Sequence, residues 1–370
     1  MVVLKSEKMR GKIMEQEHGG NIKEVSAKFN IKQNDVIDFS ANINFVGPPP
    51  DIYSKIKKEI EEITRYPESN SNNLRERLAD KYGLDYNNYV LGNGAVELIY
   101  ILTRVLNLQE ALVLAPTFSE YENALQAEEV DIKYHYLLKE NDFALDIDKL
   151  KGDLQENIDI FFLCNPNNPT GQYINKEEIK ELLTHNAKNK IFTVIDEAFV
   201  DFLDQDISAL SLLKDFKDLF ILRSLTKFYA IPGLRLGFGI GNKEIIKRIM
   251  KTKDPWNVNI FAQKAGEVIL TQDQYNKLTK KAIYREKIFL YQKLKEFANL
   301  KVFYPNANYI FIELTESDYS GTKLYNKLAA QGILIRNCQN YQGLDDNFIR
   351  IAVKSREDNK KLLNTLIKYL

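Results

Sequence analysis

A lysine, two hydroxyl residues and an arginine crowd into Ser224-Leu-Thr-Lys-Phe-Tyr-Ala-Ile-Pro-Gly-Leu-Arg-Leu-Gly237, directly after the apolar run Leu219–Leu222. Lys227 just past a strand end sits where α/β sheets place ligands, and partial burial beside a cation would give it the depressed pKa of a nucleophile. Ser224, Thr226 and Arg235 are donors suited to a phosphate ester, and Pro232-Gly233 can fold Arg235 back toward the lysine. Singly, each of these is an ordinary surface-loop residue.

Other segments offer matching chemistry. Leu91-Gly-Asn-Gly-Ala-Val-Glu97 joins a strand to a helix starting near Ala95, so the amides around Gly94 and Ala95 and the helix dipole form an anion site. A short glycine turn is by itself more often a tight connection. Ala115-Pro-Thr-Phe118 follows the run Ala111–Leu114 and presents an aromatic ring that either stacks on a flat ligand or fills the core. Asn165-Pro-Asn-Asn-Pro-Thr-Gly171 follows Ile158–Cys164, and its prolines and glycine demand a stiff turn at the sheet edge. Asp196 ends the run Phe192–Ile195, where a carboxylate needs a cation unless it is exposed. Arg336 and Arg350 lie inside the strand-like runs Ile333–Arg336 and Asn347–Val353. Each needs an anion there, supplied either by internal salt bridges or by a small substrate carrying two anionic groups.

The elements that must position these residues alternate. Asp51–Thr64 places Ile52, Ile56, Ile60 and Ile63 at helical spacing, and similar patterns recur at Asn73–Tyr82, Ala95–Leu106 and Lys176–Leu183. Short apolar runs lie between them, which predicts an α/β domain with a largely parallel sheet. Alternation stops near Asp254-Pro-Trp-Asn257, a charged helix is expected from about Gln274 to Phe297, and strands at Tyr309–Leu314 and Phe348–Val353 precede a helix at Arg356–Tyr369. The expected division is an N-terminal arm over 1–45 that joins the small domain, a large domain over 46–255 and a small α+β domain over 256–370.

Composition narrows the partners. The 370 residues are 44% apolar and 28% charged, enough for a substantial core. Lys plus Arg and Asp plus Glu number 51 each, so no net field draws the chain to nucleic acid or an anionic membrane. Three histidines without HExxH or CxxC point to no metal site. The stretch MVVLKSEKMRGK has no secretory apolar core, and two cysteines suit a reducing compartment, so a cytoplasmic globular protein is expected.

The lysine segment matches S-x-[ST]-K-x-x-x-[IL]-x-G-[LI]-R-x-G at every defined position and resembles the signature of the class I/II aminotransferase family of pyridoxal-phosphate enzymes. That resemblance implies the aspartate-aminotransferase-like α/β fold, with a large parallel-sheet domain and a smaller α+β domain, and pyridoxal 5'-phosphate as cofactor. It implies that Lys227 carries the cofactor and shuttles protons, and that Ser224, Arg235, Gly94 and Ala95 hold its phosphate. Phe118 would stack on its ring, Asn168 would meet its phenolic oxygen and Asp196 its pyridine nitrogen. Tyr66 would reach the cofactor phosphate of a neighbouring subunit, which implies a homodimer.

Two features sort the chain within that family. Phe199 stands where the aminotransferases usually carry a tyrosine that donates to the phenolic oxygen. The arm, with His18-Gly-Gly-Asn21, Asp38-Phe-Ser-Ala-Asn-Ile-Asn44 and Gly47-Pro-Pro-Pro50, is similar to that of the L-threonine-O-3-phosphate decarboxylases, cobalamin-pathway relatives of the histidinol-phosphate aminotransferases. By this resemblance Arg350 would hold the α-carboxylate and Arg336, with His18, the substrate phosphate, with Asn42 also in the substrate site. The first reading is decarboxylation of an amino-acid phosphate, and the alternative is transamination, as of histidinol phosphate. A remote third is a non-catalytic cofactor-sensing domain, which would carry a basic helix-turn-helix module where only a short arm precedes Asp38.

Overall fold

A computed structural model describes residues 19–315 and 318–370. The arm contributes β1 (Ile37–Asp38). Seven strands build one large sheet: β2 (Tyr89–Asn93), β3 (Glu110–Ala115), β4 (Asp131–Tyr136), β5 (Ile160–Cys164), β6 (Phe192–Asp196), β7 (Leu219–Ser224) and β8 (Leu236–Gly241). Their spatial order is β2-β8-β7-β6-β5-β3-β4, and β8 alone runs against its neighbours.

Both faces are covered over the middle of this sheet, which explains why inner strands such as β5 and β7 carry continuous apolar runs. Leu91, Phe161, Ile195 and Ile221 pack to one side, while Val90, Phe162, Val194 and Phe220 pack to the other. The helix Ala95–Leu106, expected with those same limits, returns from β2 across the second face. Helix Ile260–Ile269 packs on helices Pro50–Lys58 and Asn72–Tyr82 and also touches β8.

A second unit holds a four-stranded sheet ordered β12-β13-β10-β9, made of β9 (Leu300–Val302), β10 (Tyr309–Leu314), β12 (Arg336–Asn337) and β13 (Phe348–Ala352), while the short β11 (Ile333–Leu334) lies outside that sheet. Helices Asp273–Leu294, Gly321–Ala329 and Arg356–Leu366 cover it through Leu290, Leu324 and Leu362. β1 pairs in parallel with β11, Ile37 opposite Ile333, so the arm lies beside this unit.

Two expected elements divide. The run Ile333–Arg336 was expected as one strand, but it breaks at Ile335 because β11 pairs with β1 while β12 pairs with β13. The helix expected over Asp51–Thr64 ends at Lys58 and continues as a tighter turn over Ile60–Thr64. Ile60 and Ile63 consequently face outward, 50% and 63% exposed, in contrast to the buried Ile52.

Candidate active site

Strand ends, the arm and the second unit enclose a cavity of about 440 Å³ with Lys227 at its floor. Lys227 belongs to a single helical turn, Leu225–Phe228, that follows β7 directly. Desolvation lowers its pKa, Asp196 and Cys164 oppose that shift, and Arg235 and Arg350 add to it. Its backbone carbonyl accepts the Asn44 amide at 3.1 Å, and the Asn44 side chain donates to the Phe228 carbonyl at 2.8 Å, so the arm is tied to the lysine turn.

One end of the cavity is shaped for an anion. Gly94 caps the helix Ala95–Leu106 with φ +79°, and a Cβ there would come within 2.4 Å of the Arg235 guanidinium. A glycine is required on both counts. Arg235 itself is left-handed at φ 58°, a strained conformation that brings its side chain over the helix N-terminus. The hydroxyls of Ser224 and Thr226 stand 2.8 Å apart on the same rim. Among the described residues no carboxylate lies within ion-pair distance of Arg235.

Beneath the middle of the cavity Asp196 is 5% exposed. Tyr121 Oη donates to its Oδ2 at 2.7 Å and the Ala198 amide to its Oδ1 at 2.9 Å. Among the described residues no lysine or arginine pairs with it. Phe118 lines the cavity and meets Tyr121 edge-on at 5.6 Å. Asn168 lies on the turn after β5, which Thr117 stiffens by donating to Asn167 Oδ1 at 2.7 Å and Tyr309 by donating to the Asn167 carbonyl at 2.6 Å. Phe199 places its ring 4.9 Å from Lys227 Nζ.

The remaining wall is cationic. Arg336 and Arg350 are cross-strand partners on β12 and β13, and both are buried. Arg350 donates to Asn168 Oδ1 and, at 2.7 Å, to the Ser40 carbonyl, while Arg336 donates to Asn340 Oδ1 at 2.7 Å. These partners are neutral, and among the described residues no carboxylate pairs with either arginine. Asn42 lines the same cavity, its backbone carbonyl accepting from Asn308.

The structure thus brings together Gly94, Ala95, Phe118, Asn168, Ser224, Lys227, Arg235, Asn42, Arg336 and Arg350 around one cavity, and Asp196, outside its lining, is near enough to Lys227 to act on its charge. Tyr66 stands apart, 80% exposed and stacked on Trp256 at 4.9 Å. His18 lies outside the described residues. Sequence reasoning missed Tyr121 and Tyr341, the latter also on the cavity wall. Tyr121 reads as one more core aromatic of a helix, and Tyr341 sits in a connection without periodicity, so neither carried a usable signal.

A lysine of lowered pKa, a helix-capped anion cup and a buried carboxylate that no described lysine or arginine pairs with are features of a lysine-dependent enzyme built on a mostly parallel α/β sheet. The family model for aminotransferase class I and II matches residues 34–366, and the chain belongs to that family. The threonine-phosphate decarboxylase of Salmonella typhimurium is 34% identical over 350 residues, 94% of this chain and 95% of that one. The structure of histidinol-phosphate aminotransferase from Clostridium acetobutylicum is 33% identical with a TM-score of 0.83, over 89% of this chain and 97% of that one. The histidinol-phosphate aminotransferase of Sinorhizobium meliloti, solved in complex with pyridoxal-5'-phosphate, shares the fold at a TM-score of 0.85 and 17% identity, over 98% of each chain.

Proposed function

We propose that this enzyme uses pyridoxal 5'-phosphate to decarboxylate a small phosphorylated amino acid, with L-threonine O-3-phosphate as the substrate. The carrying observation is the opposition of Arg336 and Arg350, two buried cations on facing strands with neither of which a carboxylate pairs among the described residues. Like charges directly opposite are destabilising, and a substrate with a carboxylate and a phosphate would neutralise both.

The residues present fit the cofactor. Its phosphate suits the cup of Gly94, Ala95, Ser224, Thr226 and Arg235, and the unpaired Asp196 suits a protonated pyridine nitrogen. When bound, the group supplies an electron sink conjugated to the substrate's α-carbon. Lys227 then has two tasks, to hold the cofactor and to deliver a proton from Nζ to the α-carbon. Its lowered pKa suits both. Asn168 would meet the phenolic oxygen and Phe118 would support the ring. Arg350 and Asn42 orient the carboxylate end and Arg336 the phosphate end, which fixes the bond to be broken relative to the ring.

The exposed Tyr66 and Trp256, with Tyr53, Ile60 and Ile63 also exposed, would meet a second copy of the chain, with Tyr66 reaching the neighbour's cofactor phosphate. No helix among the described residues is long and apolar enough to cross a membrane, and the two free buried cysteines accord with a cytoplasmic home.

The deciding experiment supplies holoenzyme with L-threonine O-3-phosphate and assays carbon dioxide and 1-amino-2-propyl phosphate. Formation of both in equal amounts is expected. Stoichiometric glutamate formed from 2-oxoglutarate with this or another amino donor, without carbon dioxide, would establish the aminotransferase reading.

A further inference from the structure

Arg336 and Arg350 start from facing positions, yet their guanidinium groups take different partners. The side chain between them is Tyr341. It belongs to the connection from β12 to β13, where its amide donates to the Cys338 carbonyl at 3.0 Å and its own carbonyl accepts from Leu344 at 3.1 Å. Two successive turns therefore fix its backbone. The residue is 7% exposed, with the Arg336 guanidinium carbon over its ring at 5.2 Å from the centroid. Its hydroxyl lies 3.4 Å from Asn168 Oδ1 and 3.5 Å from Arg350 Nη1. Those two contacts are at the outer limit of a hydrogen bond, so the hydroxyl is free to turn toward a ligand oxygen.

Facing residues of an antiparallel pair have Cα atoms about 5 Å apart, and two side chains as long as arginine can then converge on one anion. A single carboxylate or phosphate shared between them would relieve their repulsion at once. An aromatic ring held against one guanidinium, with its far end at the other, blocks that arrangement.

The geometry points to Tyr341 as a specificity-determining residue that partitions the cationic wall into two separate anion sites, one at Arg336 and one at Arg350. The ring does the partitioning, and a ligand must then carry two anionic groups to neutralise both arginines. A ligand with one anion leaves a buried guanidinium without a counter-charge, so the partition also rejects unphosphorylated amino acids. This inference rests on the two-anion substrate proposed above and names the residue that enforces it.

The test uses the holoenzyme with inorganic phosphate and acetate as probes, each titrated by calorimetry alone and in the presence of the other. In the wild-type protein and in Tyr341→Phe both probes are expected to bind together, each shifting the other's Kd by less than about threefold. In Tyr341→Ala they are expected to exclude each other, acetate raising the phosphate Kd by about tenfold or more. General loosening of the site would weaken both probes without making them compete. Mutual exclusion in the wild-type protein overturns the partition without any variant, and so does unchanged joint binding in Tyr341→Ala. Absence of phosphate binding to the wild-type holoenzyme is a different result, which overturns the two-anion reading and the partition with it.

Discussion

Glu197 and Arg223 form a buried ion pair at 2.8 Å, one residue beyond Asp196 and one residue before Ser224. The Glu197 carboxylate also accepts from Ser208 Oγ at 2.8 Å and the Ala209 amide at 2.7 Å, so its hydrogen-bonding capacity is well used. The pair links the ends of the adjacent parallel strands β6 and β7, and thus the groups assigned to the two ends of the cofactor. Removing one partner strands the other charge in the interior. Arg223→Met is expected to lower unfolding free energy by about 3–5 kcal/mol in denaturant titrations, and to weaken cofactor retention on dialysis. A change below about 1 kcal/mol would show that water reaches the pair.

Lys227→Ala should abolish turnover and covalent attachment. Borohydride treatment of the wild-type holoenzyme, followed by peptide mapping, is expected to find the reduced cofactor on the peptide containing Lys227 and on no other. The motivation is a lysine at the cavity floor whose amine is uncharged at lower pH than a solvated lysine. Label on Lys253 or Lys287, whose pKa values burial also lowers to about 8, would relocate the chemistry.

Phe199 lies beside Lys227 Nζ but cannot donate a hydrogen bond. A tyrosine there would stabilise an ionised phenolic oxygen and so favour proton loss from its neighbour. The sign follows directly: Phe199→Tyr is expected to move the visible-absorbance transition of the bound chromophore to lower pH. A titration with no downward shift would place the phenolic oxygen elsewhere.

Arg336→Ala and Arg350→Ala are each expected to reduce kcat/KM for phosphothreonine by about 2–5 kcal/mol of transition-state binding, as loss of a desolvated charged partner does. Their patterns should differ. Inorganic phosphate should no longer inhibit Arg336→Ala competitively, whereas it should still inhibit Arg350→Ala. Equal loss of phosphate inhibition in both variants would mean that the two arginines share one anion.

Much of this site could be read in the sequence because its parts are local. Gly94, Lys227 and Arg235 each sit on a tight turn next to an apolar strand, and such a turn leaves a mark in residue type and spacing. The break within Ile333–Arg336 left none, since it comes from β1 competing with β13 for neighbouring residues of one run. Helix Ile260–Ile269 is similar, because the alternation of strands and helices has already ceased where the chain returns to pack on Pro50–Lys58. Tyr121 and Tyr341 act through partners 75 and 173 residues away, beyond any pattern of spacing.

The parallel pairing of Ile37 with Ile333 also orders events in time. On a ribosome, the segment from Gly94 to Gly237 emerges with the phosphate cup and its lysine long before β11 exists to receive the arm. Contacts between such distant residues form late, after the local ones. Until then Asn44 has no anchored arm to hold it on the Lys227 carbonyl, and Arg350 has not been made. A solvated lysine holds less of its amine in the free-base form that attacks an aldehyde, so closure of the last strands over Lys227 would raise that fraction.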